Sequence, residues 1–283
     1  MSTHLIRTSL AALTSLALGA ALVVGAAPAA AGVGGSANKV RSAVASGSVD
    51  AILAEVERVE RKICNDCIEP ITALLEHARY EVREVAAWWF AKRPGLKDAM
   101  IEQMVDDLAG GSLMVRNAAD FLGTVKALPS IPVLTDLAVR ADLSAEARQH
   151  VVRALGKMGH ASANPAIEAA FADADATVRA EAVDAWHAIL YQQGAAAMVD
   201  LLDDADALVR AKAAAVIGSL REASARVALE AVLASDVDPS ARRNAAWALG
   251  RLGQAASRPA LEAAMSDASS LVRNTARVAL AAL

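Results

Sequence analysis

A dipeptide of a small apolar residue and arginine recurs seven times along the chain, and its spacing constrains the fold more than any other feature. The seven dipeptides are Val82-Arg83, Val115-Arg116, Ala147-Arg148, Val178-Arg179, Val209-Arg210, Ala241-Arg242 and Val272-Arg273. Their arginines are separated by 33, 32, 31, 31, 32 and 31 residues. Self-similarity at a period of about 20 to 50 residues is typical of proteins that stack one supersecondary unit on the next. The sequence therefore predicts a repeat array over residues 67–283.

Each unit is predicted to hold two helices, A and B, joined by a short polar turn. Apolar residues in both recur every three or four positions, which is the helical period. Four positions before the arginine stands an N-cap residue type, namely Ser112, Ser144, Asp175, Asp206, Asp238 or Ser269; its side-chain oxygen can accept from the first free amides of helix B. Hydrophobic residues make up 55% of the chain but aromatic residues only 3%. This favours closely packed helices, and the predicted class is all-α, a right-handed solenoid of about seven helix pairs.

Helix B is rich in small residues. Alanines such as Ala213 and Ala214 stand three and four positions after the arginine and allow neighbouring helices to approach closely. Glycine follows eight positions after the arginine at Gly156, Gly218 and Gly250. We interpret these glycines as residues near the end of helix B, where the chain turns towards the next unit.

The unit Asp-x-(Asp/Ser)-x-x-Val-Arg, followed by an alanine-rich helix that ends near Leu-Gly, resembles the short HEAT-like repeats found in phycobilisome lyases. The resemblance covers about residues 67–283. It implies that helix B lines a concave binding side, and that turn aspartates and helix B arginines form an internal polar ladder. By position, the ladder consists of Asp173, Arg179, Asp204, Arg210, Asp236, Arg242, Asp267 and Arg273. In the first unit His77 and Arg79 replace the acidic and capping residues, so the ladder is not expected there.

The first 31 residues match a secretory signal peptide. Arg7 precedes an apolar run from Leu10 to about Ala27, and Ala29 and Ala31 fill the small-residue positions before the predicted cleavage point. An uncleaved membrane anchor is the alternative, because the run approaches the roughly 20 residues that span a bilayer. We expect a secreted or periplasmic protein with no membrane contact beyond this segment.

The charge balance disfavours nucleic acid as a partner. Without Arg7 the chain has 27 basic and 32 acidic residues, a formal charge of −5. A surface that binds phosphates normally shows a basic excess or stripe, and the sequence has neither. Use of the array on DNA, as in the HEAT-like alkylpurine glycosylases, is therefore not expected.

The segment between signal peptide and repeats contains two predicted parts. Residues 32–48 include glycine and serine and are predicted to be a flexible linker. Residues 49–66 are predicted to be a capping helix with an amphipathic pattern. The apolar positions of that helix are Ile52, Leu53, Val56 and Val59.

Cys64 and Cys67 are the only cysteines, and in an oxidising compartment they are predicted to form a disulfide. A c-type haem site would need histidine after the second cysteine, where Ile68 stands. A zinc site would need two further ligands, of which His77 offers one. A thiol-disulfide redox site stays open as an alternative, although the sequence context of thioredoxin is missing. No metal and no cofactor are predicted.

Candidate binding residues come from the positions two, five and nine after each arginine, which we expect to face outward from the stack. In addition, the run Trp88-Trp89-Phe90 cannot point entirely into one core, and exposed tryptophan near arginine is typical of binding hot spots. The predicted partner-binding residues are Trp88, Trp89, His150, Arg153, Lys157, Trp247 and Arg251.

No catalytic motif stands out. The histidines fall in different units, no serine or cysteine nucleophile sits in a recognisable motif, and no phosphate-binding loop is present. The predicted function is a non-catalytic scaffold that binds a protein or peptide on the concave face of the solenoid. The alternatives are a lyase or chaperone-like enzyme related to the HEAT-repeat bilin lyases, and a CxxC redox protein.

Overall fold

A computed structural model of the chain describes residues 34–189 and 194–283. Every regular element within these two ranges is a helix, and neither range contains a strand. None of the described helices is long and apolar enough to cross a membrane. The predicted signal peptide, residues 1–31, lies outside the described residues.

Two helices precede the repeats, α1 (Gly34–Ser46) and α2 (Val49–Arg58). The prediction of a flexible linker over residues 32–48 is therefore wrong for the part that the structure describes. The prediction relied on the glycine and serine content of this segment and overlooked an apolar stripe at helical spacing. This stripe packs against α2. The buried residues of the stripe are Ala37, Val40 and Ala43. The capping helix begins at Val49 as predicted but ends at Arg58 rather than at residue 66.

Seven pairs of helices follow, each with a helix A and a helix B. The pairs are α3 (Ile68–Ala73) with α4 (Tyr80–Ala91), α5 (Pro94–Asp107) with α6 (Ser112–Thr124), α7 (Ile131–Ala138) with α8 (Ala145–Met158), α9 (Asn164–Ala170) with α10 (Ala176–Ala188), a 3-10 helix (Ala196–Asp203) with α11 (Ala207–Leu220), α12 (Arg226–Ser235) with α13 (Pro239–Leu252), and α14 (Arg258–Ala264) with α15 (Ser270–Ala281). Each helix B packs on the helix B of the next unit. The predicted all-α solenoid is confirmed.

The N-caps of helix B differ between units. Asp206 and Asp238 accept hydrogen bonds from amides of the following turn, and Ser144 and Asp175 do the same. The prediction is wrong for Ser112, because Gly111 occupies the cap and the Ser112 hydroxyl instead accepts from the Ser144 amide at 2.9 Å. Ser269 occupies its cap position without a side-chain hydrogen bond.

Glycine and alanine form a seam between successive helices B. A Cβ added to Gly218 would stand 2.7 Å from the Cα of Ala248, a distance that real Cβ atoms do not reach. The other glycines of the seam meet alanine in the same way: Gly123 with Ala154, Gly156 with Ala185, and Gly250 with Ala279. Only glycine therefore lets the two backbones come this close.

As predicted, Gly156, Gly218 and Gly250 lie near the end of helix B, each two residues before its last residue, but they do not make the turn. The turn that follows α8 and α13 is made by the left-handed residues Gly159 and Gly253, with φ of 68° and 67°. The predicted glycines sit a few residues earlier, where they serve helix packing instead of chain reversal.

Candidate functional site on the B face

The exposed side of the helices B is hereafter called the B face. Arginines of the helices B and aspartates of the turns before them form a ladder along the array. Arg210 donates through Nη1 to the carbonyl oxygens of Asp204 and Ala205, at 2.8 and 3.2 Å. Its Nε and Nη2 donate to the carboxylate of Asp236, at 2.6 and 2.7 Å. The amide of Asp238 also donates to that carboxylate. One guanidinium thus connects its own turn to the turn of the next unit.

The same arrangement repeats along the array. Its arginine–aspartate pairs are Arg148–Asp173, Arg179–Asp204, Arg210–Asp236 and Arg242–Asp267, with N–O distances of 2.6 to 2.9 Å. Hydrogen bonds from arginine hold the pKa of the Asp236 and Asp267 carboxyls below their usual value, against the opposing effect of burial. Arg273 donates only to the carbonyls of its own turn. Each of these carboxylates is already hydrogen-bonded to an arginine, so the ladder is structural.

The first three units share a different polar cluster. Arg83 donates to the carboxylate of Asp120 at 2.7 Å and to the carbonyl of His77. The other oxygen of Asp120 lies 2.6 Å from Nδ1 of His150. The side chains of Arg83, Asp120 and His150 expose only 2%, 1% and 8% of their surface. The three groups form a buried ionic cluster that joins the helices B of the first three units.

A one-residue shift in the second unit explains this cluster. Gly123 makes the seam contact that Gly156 makes in the next unit, although it follows its arginine by seven residues instead of eight. Val115 therefore occupies the ladder position, and Arg116 pairs outside the ladder with Glu146 at 2.8 Å. The same shift places Asp120 at the position where other units face outward.

Two of the predicted partner-binding residues are buried. Trp89 has no exposed surface, and the guanidinium of Arg93 lies 3.4 Å above its ring. His150 is only 6% exposed because it turns towards Asp120. The prediction that Trp89 and His150 contact a partner is therefore wrong.

Arg153 and Lys157 are half-buried and already paired. Arg153 donates to the carboxylate of Glu181 at 3.0 and 2.5 Å, and Lys157 is hydrogen-bonded to Glu84. Both cations lie over the ring of Tyr80, at 4.7 and 5.1 Å from its centre. Burial raises the pKa of the Tyr80 phenol, while a hydrogen bond with Lys157 opposes the shift. This part of the B face is charge-neutralised by its own side chains.

Trp88 borders a hollow at the N-terminal end of the B face, where Glu84 is paired with Lys157 and Glu81 with Arg79. The hollow, of about 370 Å³, lies between α2, α4 and α6, and Glu57, Glu81 and Glu84 contribute to its lining. The ammonium of Lys92 lies 5.4 Å from the centre of the Trp88 ring. Trp88 is half-buried, so one side of the indole borders the hollow.

Trp247 borders a second hollow, of about 300 Å³, near the C-terminal end of the B face. It is 40% exposed, and the guanidinium of Arg251 lies 5.8 Å from its ring centre. Arg243 lines the same hollow and donates only to the side chain of Asn244. Neither arginine is paired with a carboxylate in the described ranges, so this hollow is cationic.

The two cysteines lie away from the B face, where the chain passes from α2 to α3. Their sulfurs are at bonding distance, 2.04 Å, and Cys64 and Cys67 are 5% and 0% exposed. Arg93 closes the same region by donating to the carbonyls of Val59 and Glu60. No cluster of three or more potential metal ligands occurs among the described side chains.

A family model of HEAT repeats matches residues 131–204 and 195–281, more than half of the chain. The chain belongs to the HEAT-repeat family. No curated protein matches this HEAT-repeat chain at a significant level.

Three solved structures are similar in fold. YibA of Escherichia coli is 14% identical with a TM-score of 0.57, over 86% of this chain and 92% of that one. A chain of the Kap95p–RanGDP complex is 15% identical with a TM-score of 0.54, over 87% of this chain and 41% of that one. An engineered protein is 20% identical with a TM-score of 0.51, over 88% and 78%. At these identities the likeness concerns the HEAT-repeat fold alone.

Sequence reasoning missed three residues that make polar contacts at or beneath the B face. Asn244 stands two positions after its arginine and was accessible to the spacing rule. Asp120 had a signal too, since it is an acidic residue within the alanine-rich part of a helix B. Tyr80 had none, because the residues it contacts, Arg153 and Lys157, belong to a helix two units further along the chain.

Proposed function

We propose that this HEAT-repeat solenoid is a non-catalytic scaffold that binds an extended segment of a protein partner along its B face. HEAT repeats in general suggest protein interaction. The observation that carries the proposal is the exposure of Trp247 over a hollow, beside an arginine that lacks a carboxylate. A large aromatic ring with an adjacent arginine is typical of binding hot spots.

The charges at the two ends of the B face suit a segment with fixed direction. Glu81 and Glu84 of the Trp88 hollow are already paired with Arg79 and Lys157, whereas Arg243 and Arg251 at the Trp247 hollow have no carboxylate partner in the described ranges. Trp88 and Trp247 are five helix steps apart, roughly 40–50 Å at 8–10 Å per step. An extended peptide of about 13 residues covers such a distance. A partner with acidic residues at the end that meets Trp247 would match the cationic hollow.

We place this binding surface on the concave side. Glycine and alanine bring the helices B into close contact, whereas grooves of about 630 and 650 Å³ separate elements of the layer of helices A. A stack that is tighter in one layer than in the other curves towards the tighter layer. The close Gly218–Ala248 contact therefore supports helix B as the inner wall.

A photo-crosslinking experiment tests the B face directly. p-Benzoylphenylalanine is placed at Ala215, which lines the Trp247 hollow, and in a matched variant at Ala231, which lines a groove between helices A. We expect protein adducts from the first position in the native compartment, and their loss after Trp247→Ala. Equal adducts at both positions, or none from Ala215, would overturn the proposal.

We also propose that the protein is exported, because its first 31 residues match a signal peptide. The Cys64–Cys67 disulfide supports this, since disulfides persist in oxidising compartments. Mass spectrometry of the secreted or periplasmic protein should find Gly32 at the N-terminus. A product that keeps the segment and sediments with membranes would contradict cleavage and favour an anchor.

A further inference from the structure

An apolar groove lies on the side opposite to the B face, between the helices A of the first two units. Its two walls are α3 and α5, and Phe90, Leu113, Met114 and Asn117 contribute to its lining from helices B. The volume is about 650 Å³. Further along the array, neighbouring helices A pack on one another, as α7 does on α9 and α12 on α14. No comparable packing joins α3 to α5, and the groove lies between them.

The lining of the groove is rich in flexible apolar side chains. Met100, Met104 and Met114 line it together with Leu96 and Leu113. Leu113 is 61% exposed, like Leu208 and Leu271 at the same position of other units, and Met114 is 47% exposed. Methionine adapts to irregular surfaces and is over-represented at binding sites for varied apolar partners. Contiguous exposed apolar surface of this kind marks an interaction site.

The charged side chains of the groove have one sign. Glu76 and Asp107 line it, and the lining contains no lysine, arginine or histidine. The comparable groove between the 3-10 helix Ala196–Asp203 and α12 is also mainly acidic, with Asp200, Asp203, Asp204 and Asp236 against Arg210, but its lining contains no methionine. Acidic residues therefore line both grooves, whereas the methionine-rich apolar lining is a property of the first two units.

We propose that this groove binds a basic amphipathic helix of a protein partner. Such a helix inserts an apolar stripe spaced i, i+3, i+4 and i+7 into an apolar groove, while its lysines and arginines reach the acidic residues at the edges. A small apolar ligand fits less well, because ligand pockets usually enclose most of the ligand surface. Here Leu113 remains more than half exposed and the groove is open to solvent.

The test uses a fluorescent model peptide of about 16 residues, long enough for four helical turns. The peptide contains only leucine and lysine, with leucine at the i, i+3, i+4 and i+7 spacing. There are two control peptides. One keeps the composition but scrambles the leucine spacing, and the other keeps the spacing but replaces lysine by glutamate. We expect the purified protein to bind the first peptide at least tenfold more tightly than either control, by fluorescence anisotropy.

Matched variants locate the site. Ala99→Trp fills the groove, and Val105→Trp places the same side chain at an exposed position of α5 outside the lining. Glu76→Lys removes an acidic residue of the groove. The control Glu102→Lys makes the same charge change on α5, outside the lining of the groove. We expect at least a tenfold loss of affinity for Ala99→Trp and Glu76→Lys only. Circular dichroism verifies that each variant is folded.

Methionine methyl NMR gives a readout that does not depend on affinity. On addition of the leucine–lysine peptide, the signals of Met100, Met104 and Met114 should shift, while those of Met198 and Met265 in distant units stay in place. If Ala99→Trp and Glu76→Lys bind the peptide as tightly as the wild type, the peptide is held by general attraction to an acidic surface and not by the groove. Binding of an apolar dye in the groove without binding of the peptide would identify a small-molecule site. Either result overturns the proposal.

Discussion

The carboxylate of Asp236 receives two hydrogen bonds from Arg210, which precedes it by 26 residues and belongs to the previous unit. The same carboxylate accepts from the amide of Asp238, the residue that caps the next helix B. A single side chain therefore connects one helix B to the turn and the helix start of the following unit. The register between two units is fixed at this point.

The Asp236 carboxylate should make stability sensitive to acid. Its folded-state pKa is lowered by the hydrogen bond from Arg210, whereas in the unfolded chain it is about 4. The stabilisation is complete above that value and is lost as pH falls through the folded-state pKa. We expect urea unfolding to show constant stability near neutrality and a fall below about pH 4. In Asp236→Asn, which is less stable at pH 7, the fall should be smaller; an identical fall would contradict this.

Gly218 should not tolerate even a methyl group. Gly218→Ala forces its Cβ against the backbone of Ala248, and overpacking of this kind costs about 1–3 kcal/mol. The matched change is Gly95→Ala, where nothing lies within 4 Å of the added Cβ. Because alanine favours helix, that variant should be neutral or more stable by up to about 1 kcal/mol. Thermal unfolding of both variants compares the two sites directly. Equal melting temperatures would contradict the claim that close packing at Gly218 stabilises the stack.

Asp120 should be costly to remove. Asp120→Ala leaves Arg83 and His150 buried without their shared acceptor, and loss of one partner of a buried ion pair destabilises by about 3–5 kcal/mol. Asp184→Ala removes an exposed partner of Lys212 and should change stability by less than about 0.5 kcal/mol. Chemical denaturation separates the two. A small effect at Asp120 would mean that water replaces the carboxylate.

Trp247 and Arg251 should support binding but not folding. Arg251→Glu reverses a charge beside the exposed indole, and Arg258→Glu makes the same change on the exposed side of α14. We expect crosslinking from Ala215 to fall for Arg251→Glu and for the double variant Trp88→Ala/Trp247→Ala, and to persist for Arg258→Glu. Melting temperatures should stay within a few degrees. Undiminished crosslinking in the double variant would contradict the role of the two tryptophans.

The disulfide should contribute modestly to stability and should not exchange. Its loop is short, so its stabilisation should stay below the roughly 3 kcal/mol of a fifteen-residue loop. Reactive cysteines are normally accessible, whereas Cys64 and Cys67 are buried. The double variant Cys64→Ser/Cys67→Ser should unfold at slightly lower denaturant concentration. Reduction of insulin by the wild-type protein would revive the redox alternative.

The repeat architecture was accessible from sequence because it depends on local, periodic signals. The arginine spacing, the caps at Asp206 and Asp238 and the alanine-rich helices each recur, so errors at one unit are corrected by the others. Helix α1 was missed because it occurs once and its apolar stripe is short. The seam glycines were found but misassigned, since glycine serves both chain reversal and close packing, and only the distance from Gly218 to Ala248 distinguishes the two.

The B face was harder to predict, because exposure depends on what a side chain meets in another unit. Tryptophan and histidine are common in binding sites, yet Trp89 and His150 are buried. Trp89 packs against the guanidinium of Arg93, and His150 is hydrogen-bonded to Asp120. Spacing alone did place Trp247 and Arg251 on the surface. The difference lies in long-range partners, which a periodic pattern does not encode.

The glycine–alanine seam also determines how this molecule can deform. Backbones in contact at Gly156, Gly218 and Gly250 cannot be compressed further, so the line through them behaves as the neutral axis of a bent beam. Changes of curvature must then open or close the spaces between helices A. A ligand lodged in one of those spaces would act as a wedge, and it would alter the pitch of the superhelix without touching the opposite wall.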